Sequence, residues 1–382
     1  MANDVLQFLM LPFTKVLPFL VVLTVVVFIH EMGHFLVARW CGVAVRTFSI
    51  GFGKEIWGFN DKQGTRWRLA WIPLGGYVKF MDDENAASVP SREAINSMTP
   101  AERAGSFHAK PVWKRAAVVA AGPIANFILA IVIFALWFGL FGVRSTEARI
   151  ADVLPDTPAA RAGFAANDLI VGVDGTAIKS FEDVQKIVST HVGRPLAFTV
   201  QRGSGEVELT ATPELKEQTV GNQTMSTVVI GIRRSDNAAS VKLYQPGPIE
   251  ALSLGVDQTK FIITSTLGYL GDVIGGRQKA DQLGGPARIG DLAAKVADKS
   301  VIDLVYLIGF ISVSVGLINL FPIPLLDGGH LLFYAIEAVR RRPLSEGAQE
   351  IGFRIGFAVV LMLMIFATFN DLPVIRGWFS AG

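Results

Sequence analysis

The sequence predicts a polytopic α-helical membrane protein that also carries one small external α/β domain. Hydrophobic residues make up 51% of the 382 residues and charged residues only 18%, a balance typical of membrane proteins. The apolar stretches are long enough, or nearly so, to cross about 30 Å of hydrocarbon. They predict about four spans, at residues 16–40, 113–142, 303–326 and 352–372. The formal net charge of +2 gives no indication of a nucleic-acid partner.

The orientation of the spans follows from the distribution of lysine and arginine. The segment 41–115 and the loop at Arg340, Arg341 and Arg342 are rich in these residues, which favours the cytoplasmic side for both. Both termini are then predicted to lie outside, together with the stretch between the second and third spans.

A His-Glu motif lies at the end of the apolar run of the first span. His30 and His34 are four residues apart, so on a helix both imidazoles lie on one face and can bind the same zinc ion. Glu31 falls beside that ion, where it can act as general base and then pass the proton to a leaving amine. A structural polar cluster is the alternative, but three polar side chains among Val, Leu and Phe are costly in hydrocarbon and indicate function.

A third ligand is needed, because a catalytic zinc ion uses three protein ligands and keeps one position open. Asp327 ends the third predicted span at a depth that can match that of His30. Pro322 and Pro324 interrupt the helix, so this segment is predicted to be non-helical and to line a cavity. The alternative is that Asp327 only caps the following helix. Cys41, the only cysteine, lies beyond the first span and is not expected to be a ligand.

Together these motifs resemble the site-2 protease family of intramembrane zinc metalloproteases. The motifs are His-Glu-x-x-His at residues 30–34 and Asn-x-x-Pro-x-Pro-x-Leu-Asp-Gly at residues 319–328. More narrowly, residues 75–79, 110–115 and 321–335 resemble the bacterial regulator-of-sigma-E branch of that family.

The resemblance implies a site and a location. Zn²⁺ would be held by His30, His34 and Asp327, with Glu31 as general base, in a protein of the bacterial inner membrane with its active site toward the cytoplasm. Asn319 would contact the substrate backbone near the scissile bond, for which a carboxamide is suited because it both donates and accepts. A helix–helix hydrogen bond is the alternative role of Asn319.

Residues 45–80 read as two strands around a polar turn at residues 60–64. By resemblance this is a re-entrant β-hairpin near the active site, where Gly75, Gly76 and Tyr77 would bind the substrate as an added strand. A hairpin on the cytoplasmic surface is the alternative. Residues 81–112 are predicted to form a cytoplasmic loop.

Residues 143–235 resemble a PDZ domain, with short strands and a helix near residues 181–190. The predicted peptide groove lies between that helix and the strand that contains Arg149, Ile150 and Ala151. A purely steric role at the active-site entrance is the alternative. Enteric relatives carry two such domains in tandem, whereas this chain has room for one. Residues 236–302 are predicted to be an amphipathic helical region.

The predicted function is cleavage of single-span membrane proteins within the bilayer after a first external cut. By resemblance, the substrate is an anti-sigma factor or a remnant signal peptide. Two alternatives remain open. A membrane zinc transporter would also place His and Asp at depth but has no need for Glu31, and an inactive membrane scaffold would not need all four chemical residues intact.

Overall fold

The computed structural model describes residues 16–82, 98–178, 180–220, 223–234, 241–280 and 283–380. The chain divides into two compact units, Met1–Ile133 with Gly284–Gly382, and Phe134–Leu283. Residues 83–97 of the predicted cytoplasmic loop lie outside the described residues. Its described part contains one short helix, which Thr99 and Glu102 cap reciprocally.

The helices and strands are numbered in chain order. The helices are α1 Leu17–Trp40, α2 Pro100–Gly105, α3 Val112–Phe141, α4 Pro158–Ala162, α5 Phe181–Ser189, α6 Pro248–Ile274, α7 Pro286–Lys299, α8 Asp303–Asn319, α9 Asp327–Arg340 and α10 Glu346–Ser380. The strands are β1 Val45–Asn60, β2 Arg66–Phe80, β3 Val143–Thr146, β4 Ile150–Val153, β5 Leu169–Val173, β6 Thr176–Ala177, β7 Leu196–Arg202, β8 Gly205–Ala211, β9 Glu214–Val220, β10 Gln223–Val229, β11 Ile232–Arg234 and β12 Val241–Tyr244.

Three described helices are long and apolar enough to cross a membrane: α1, α3 and α10. The third predicted span is helical from Asp303 to Asn319, which is 17 residues, and the rest of it, as the two prolines predict, is not helical. Pro322 and Pro324 lack the N–H groups that a continued helix needs, and the chain runs irregularly from residue 320 to residue 326. The number of spans stays a prediction.

The hairpin β1–β2 folds back on itself, so that its central residues pair twice. Ser49 pairs with both Tyr77 and Arg68, and Phe59 pairs with Trp67. The segment 45–50 therefore lies between residues 76–80 and 66–69, which leaves residues 76–80 at one edge. No described strand pairs with the outer side of that edge.

An aromatic cluster attaches this hairpin to α1. The Phe48 side chain is 1% exposed, and its ring stacks on that of Trp67 with centroids 4.4 Å apart. Phe35 of α1 meets both rings edge-on, at 5.4 Å and 5.0 Å. Packing of these three rings fixes the position of the hairpin beside the first apolar helix.

The second unit contains the α/β domain, residues 143–244. Its main sheet has the strand order β6-β5-β7-β8, and β4 pairs separately with β11. Strands β5, β7 and β4 point alternate side chains into one core, which includes the fully buried Ile150, Leu196 and Phe198. Helix α5 covers this core with Val184 and Val188. The predicted amphipathic region that follows contains two described helices, α6 and α7.

An ion pair with a buried carboxylate joins the end of β7 to the residue before β5. The Asp168 side chain is 1% exposed and accepts hydrogen bonds from Arg202 Nε at 2.8 Å and Nη2 at 2.7 Å. The backbone N–H of Ala165 donates a third bond at 2.8 Å. Hydrogen bonds from Arg202 lower the pKa of Asp168.

We expect Asp168→Asn to destabilise the α/β domain by about 1–2 kcal/mol at pH 7, because it removes a charge-assisted bond to Arg202. The lowered pKa means that the ion pair stabilises the fold above about pH 4 and that this contribution is lost as pH falls through the folded-state pKa. Hydrogen exchange of residues 148–232 in the full chain measures both effects. The exposed Asp152 provides the control Asp152→Asn. Equal protection in all three proteins would contradict the expectation.

Candidate metal centre

The structure brings His30, His34 and Asp327 together at the contact of α1 with the start of α9. His30 Nε2 lies 3.2 Å from His34 Nε2 and 3.2 Å from Asp327 Oδ2. The distance from His34 Nε2 to Asp327 Oδ2 is 3.5 Å. The three side chains are 10%, 13% and 17% exposed, so this polar group is almost closed to solvent.

These three side chains fit a tetrahedral metal ion. Donor atoms about 2.0–2.1 Å from zinc at tetrahedral angles are themselves ~3.3 Å apart, close to the three distances in this triangle. Asp327 Oδ2 is buried and has no hydrogen-bond donor of acceptable geometry among the described residues. A buried carboxylate oxygen that faces two imidazole nitrogens without a hydrogen bond is well explained as a metal ligand.

Glu31 lies beside the ligands on α1 and contacts the edge of the hairpin. The backbone N–H of Val78 donates a hydrogen bond to the Glu31 carboxylate. A Cβ on Gly76 would lie 3.1 Å from Glu31 Cγ and 2.8 Å from Ser49 O, so only glycine allows the strand to approach α1 this closely. Glu31 is therefore held within the site although it is not one of the three ligands.

The position of Asp327 depends on the irregular segment 320–326. A Cβ on Gly328 would lie 2.2 Å from Phe321 O, and one on Gly329 would lie 2.4 Å from Ile323 O. The loop therefore folds directly onto the first turn of α9. Leu325 adopts φ +93°, a conformation that is strained for a residue with a side chain and is typical of functional sites.

One cavity of about 370 Å³ contains almost all of the predicted site residues. It is lined by the three ligands, the general-base candidate, and the predicted substrate-binding residues. Those lining residues include His30, Glu31, His34, Gly75, Gly76, Tyr77, Asn319 and Asp327. The cavity thus brings together residues as distant in the sequence as His30 and Asp327, which are 297 positions apart.

Sequence reasoning missed the part of the site that α3 contributes. The backbone carbonyl of Val118 lies 2.9 Å from His34 Nδ1. A Cβ on Gly122 would lie only 2.3 Å from His34 Nε2 and 2.8 Å from His30 Cε1. Asn126 is fully buried, and its side-chain amide reaches His30 Nδ1 at 3.3 Å. The spacing of four residues between these positions, within an apolar run, is the only signal that the sequence offers.

His330 also lines the cavity, one turn beyond Asp327 on α9. Its ring packs 5.5 Å from that of Phe353 on α10. The stretch 321–335, which resembles the regulator-of-sigma-E branch, includes this histidine, but the sequence assigns it no role.

The α/β domain has a separate groove of about 580 Å³. It lies between α5 and the segment that leads into β11 rather than beside β4. The predicted groove residues Arg149, Ile150 and Ala151 are not among its lining residues, and Ile150 is fully buried in the core. Strand β4 pairs with β11, and β11 contributes Ile232 and Arg233 to this groove. The role of residues 149–151 in peptide binding stays a prediction. The lining residues include Phe181, Val184, Gln185, Val188, Ser189, Lys216, Val228, Ile230, Gly231 and Arg233.

Comparisons with known proteins identify the family of the chain. The model of peptidase family M50 matches residues 18–363, and the chain belongs to this family. The resemblance to the site-2 proteases and the prediction of a metalloprotease are thereby confirmed.

Similar proteins cover nearly the whole chain. A protein of Agrobacterium fabrum, named as a candidate zinc metalloprotease, is 47% identical over 95% of this chain and 96% of its own length. Metalloprotease MmpA of Caulobacter vibrioides is 42% identical over 92% of this chain and 94% of its own. The PDZ domain of the SdrC-like protein from Listeria monocytogenes is 24% identical and covers 25% of this chain and 94% of its own, with a TM-score of 0.20, too low to support an argument.

We expect Gly122→Ala to abolish metal binding, or to weaken it by at least about tenfold, because the added methyl group would occupy the space of both imidazoles. Metal content of the purified protein, measured by mass spectrometry, tests this. Gly139→Ala on the same helix is the matched control, because its Cβ would meet Ala251 Cβ at an ordinary 3.7 Å. Metal retained in the Gly122 variant at the level of the control would show that the helix contact is less tight than the structure has it.

Proposed function

We propose that this chain is a zinc-dependent protease that cleaves membrane-spanning segments of other proteins within the bilayer. The observation that carries the proposal is the convergence of His30, His34 and Asp327 with Glu31 in one cavity enclosed by apolar helices. His30, His34 and Asp327 would hold Zn²⁺, which, when bound, supplies Lewis acidity to the scissile carbonyl and to water.

The chain's own residues supply the proton transfers and the alignment. Glu31 takes the proton of the attacking water and passes it to the leaving amine, as its place beside the ligand triangle allows. Asn319 ends α8 at the cavity, where its carboxamide can donate to and accept from the substrate backbone. The apolar surroundings strengthen these polar interactions because they exclude bulk water.

A helical substrate must be unwound before its carbonyl groups become accessible. The edge segment 76–80 offers a solution, because its outer side pairs with no described strand and it lines the cavity beside Glu31. An unwound peptide could add to this edge as a strand. Gly75, at φ +104°, and Gly76 keep the edge clear of Cβ atoms at this point.

The hairpin β1–β2 exposes more apolar surface than a water-soluble hairpin would. Trp57 is 63% exposed and Trp71 is 69% exposed. Further exposed side chains on the hairpin are Phe52, Ile56, Phe59, Leu69, Ile72 and Leu74. Such a patch favours contact with lipid, which supports the re-entrant arrangement over a hairpin on the cytoplasmic surface.

The natural substrates would be single-span proteins of the bacterial inner membrane, cut after a first external cleavage. An anti-sigma factor or a remnant signal peptide fits this description. The distribution of Lys and Arg supports an orientation with both termini and the α/β domain in the periplasm and with the active site toward the cytoplasm.

We expect Glu31→Gln to lower the rate of intramembrane cleavage by about 10²–10⁴-fold and to leave zinc binding intact, because Glu31 moves protons but is not a ligand. The Asp327→Asn variant should lose both intramembrane cleavage and zinc binding. The measurement is cleavage of a single-span reporter without a bulky external domain, in membranes, together with the zinc content of each purified variant.

The same reporter assay with a zinc chelator separates the alternatives. Product formation that persists in the Glu31 variant would point to a contaminating protease. Zinc movement across the membrane without any cleavage would favour a transporter. Zinc binding with neither cleavage nor transport would favour an inactive scaffold.

The groove of the α/β domain supports peptide binding by that domain. Strand β11 pairs with β4 along one side, and its other side faces α5 across the groove. Apolar side chains of α5, including Phe181 and Val184, form the floor, and Lys216 and Arg233 add positive charge. An extended peptide of neutral or acidic character could therefore lie between β11 and α5 as an added strand.

We expect Gln185→Trp and Ser189→Trp to change the cleavage rate of reporters that carry an extended external tail, because both residues are exposed on the groove side of α5. Glu208→Trp on β8 is the control, since this exposed residue does not line the groove. The rates are compared for reporters with an extended tail and with a folded external domain. Unchanged rates in both groove variants would favour a steric role for the domain.

A further inference from the structure

Asn126 is an uncharged polar residue placed deep among apolar helices, and only one of its two polar side-chain atoms has a partner among the described residues. Its side chain is fully buried, and Nδ2 lies 3.3 Å from His30 Nδ1. Its Oδ1 is also buried and has no hydrogen-bond partner among the described residues. A buried amide oxygen without a donor is energetically unfavourable, because it has lost its hydrogen bonds to water.

The orientation with Nδ2 toward His30 also conflicts with metal binding. If Nδ2 donates to Nδ1, the neutral imidazole carries its proton on Nε2. His30 Nε2 is the atom that faces His34 and Asp327 in the ligand triangle, and a protonated nitrogen cannot bind a metal ion.

Rotation of the carboxamide by half a turn removes the conflict with metal binding. The two orientations occupy nearly the same volume, so oxygen and nitrogen are assigned from the hydrogen bonds that each makes. With Oδ1 toward His30, the Nδ1–H group donates to Asn126 and the lone pair of Nε2 is free to face the metal position.

We propose that Asn126 Oδ1 accepts the proton of His30 Nδ1 and so fixes the tautomer and ring orientation in which His30 binds the metal. Asn126 is thus a positioning residue, and this role rests on the proposed zinc site. Ligating histidines commonly donate their second ring N–H to an acceptor in this way.

The surroundings of Asn126 hold it in place for this role. Ser312 Oγ of α8 donates to the backbone carbonyl of Asn126 at 2.8 Å, and Ser312 is fully buried. A Cβ on Gly316, one turn later, would lie 3.2 Å from Asn126 Cβ, so α8 packs closely against this point of α3. Helix α8 therefore fixes the backbone of Asn126, and the Asn126 side chain is directed at His30 on α1.

The corresponding partner of His34 is a backbone group. Val118 O lies 2.9 Å from His34 Nδ1, two helical turns before Asn126 on the same face of α3. A carbonyl can only accept, so His34 also carries its proton on Nδ1. One face of α3 thus provides an acceptor for each histidine, and both Nε2 atoms are left for the metal.

The test compares zinc affinity in the full-length protein in detergent, by competition with a chromophoric chelator and without any substrate. Asn126→Leu keeps the size and removes the acceptor, and we expect zinc binding to weaken about 10- to 100-fold. Asn126→Asp keeps an acceptor and removes the donor, and we expect an affinity close to that of the unaltered protein. The visible absorption spectrum of the Co²⁺-substituted leucine variant should differ from that of the unaltered protein. The spectrum of the Co²⁺-substituted aspartate variant should match it.

Ser312→Ala is the control for a packing effect, because it removes a hydrogen bond to the Asn126 backbone but leaves the carboxamide, and its loss of zinc affinity should be much smaller than that of the leucine variant. The inference is overturned if Asn126→Leu binds zinc normally, if Asn126→Asp loses as much affinity as the leucine variant, or if Ser312→Ala loses as much. Leucine suits the apolar surroundings, so that variant remains informative even where the buried carboxylate prevents folding. Absence of zinc binding by the unaltered chain would instead overturn the proposed function itself.

Discussion

The direct contact of the α1 and α3 backbones is the constraint on which the rest of the site depends. A Cβ on Gly33 of α1 would lie 2.3 Å from the carbonyl oxygen of Ala121 on α3. The next residue of α3, Gly122, leaves the space that both imidazoles occupy. Small residues allow helices to approach this closely in membranes, where van der Waals packing replaces the hydrophobic effect between helices. The ligand pair, its acceptors and the cavity all require this one approach.

The close contact also resolves an energetic problem. Two imidazoles and two carboxylates are costly to place among apolar helices unless each polar atom has a partner. On helix α3, the Val118 carbonyl faces His34 Nδ1 and the Asn126 carboxamide faces His30 Nδ1, and Val78 supplies a donor to Glu31. Asp327 Oδ2 is buried without a hydrogen bond among the described residues, and it faces both imidazoles, at the metal position.

The parts of the site that could be predicted are those that short-range spacing encodes. His30 and His34 are four residues apart on one helix, and Asp327 lies in a segment that Pro322 and Pro324 interrupt. Partners distant in the sequence could not be found this way: Asn126 is 96 residues from His30, and its identity as a partner depends on how α3 packs. Which strand faces the helix across the groove of the α/β domain could not be predicted from the sequence, for a related reason. An amphipathic helix at residues 181–189 was predictable, but which of several short strands faces it depends on pairing, and β11 lies more than 40 residues further on.

The edge of the hairpin and the general base form one unit rather than two neighbouring parts. Gly76 packs against Glu31 with no side chain between them, and Val78 donates its N–H to the same carboxylate. The surface proposed to hold the unwound substrate therefore contacts the group proposed to move protons. Any shift of the strand shifts Glu31 relative to the ligand triangle, and a misplacement of about 1 Å can cost about 10²-fold in rate. The aromatic cluster of Phe35, Phe48 and Trp67 thus matters to catalysis, because it fixes the strand that carries Gly76 and Val78 against α1.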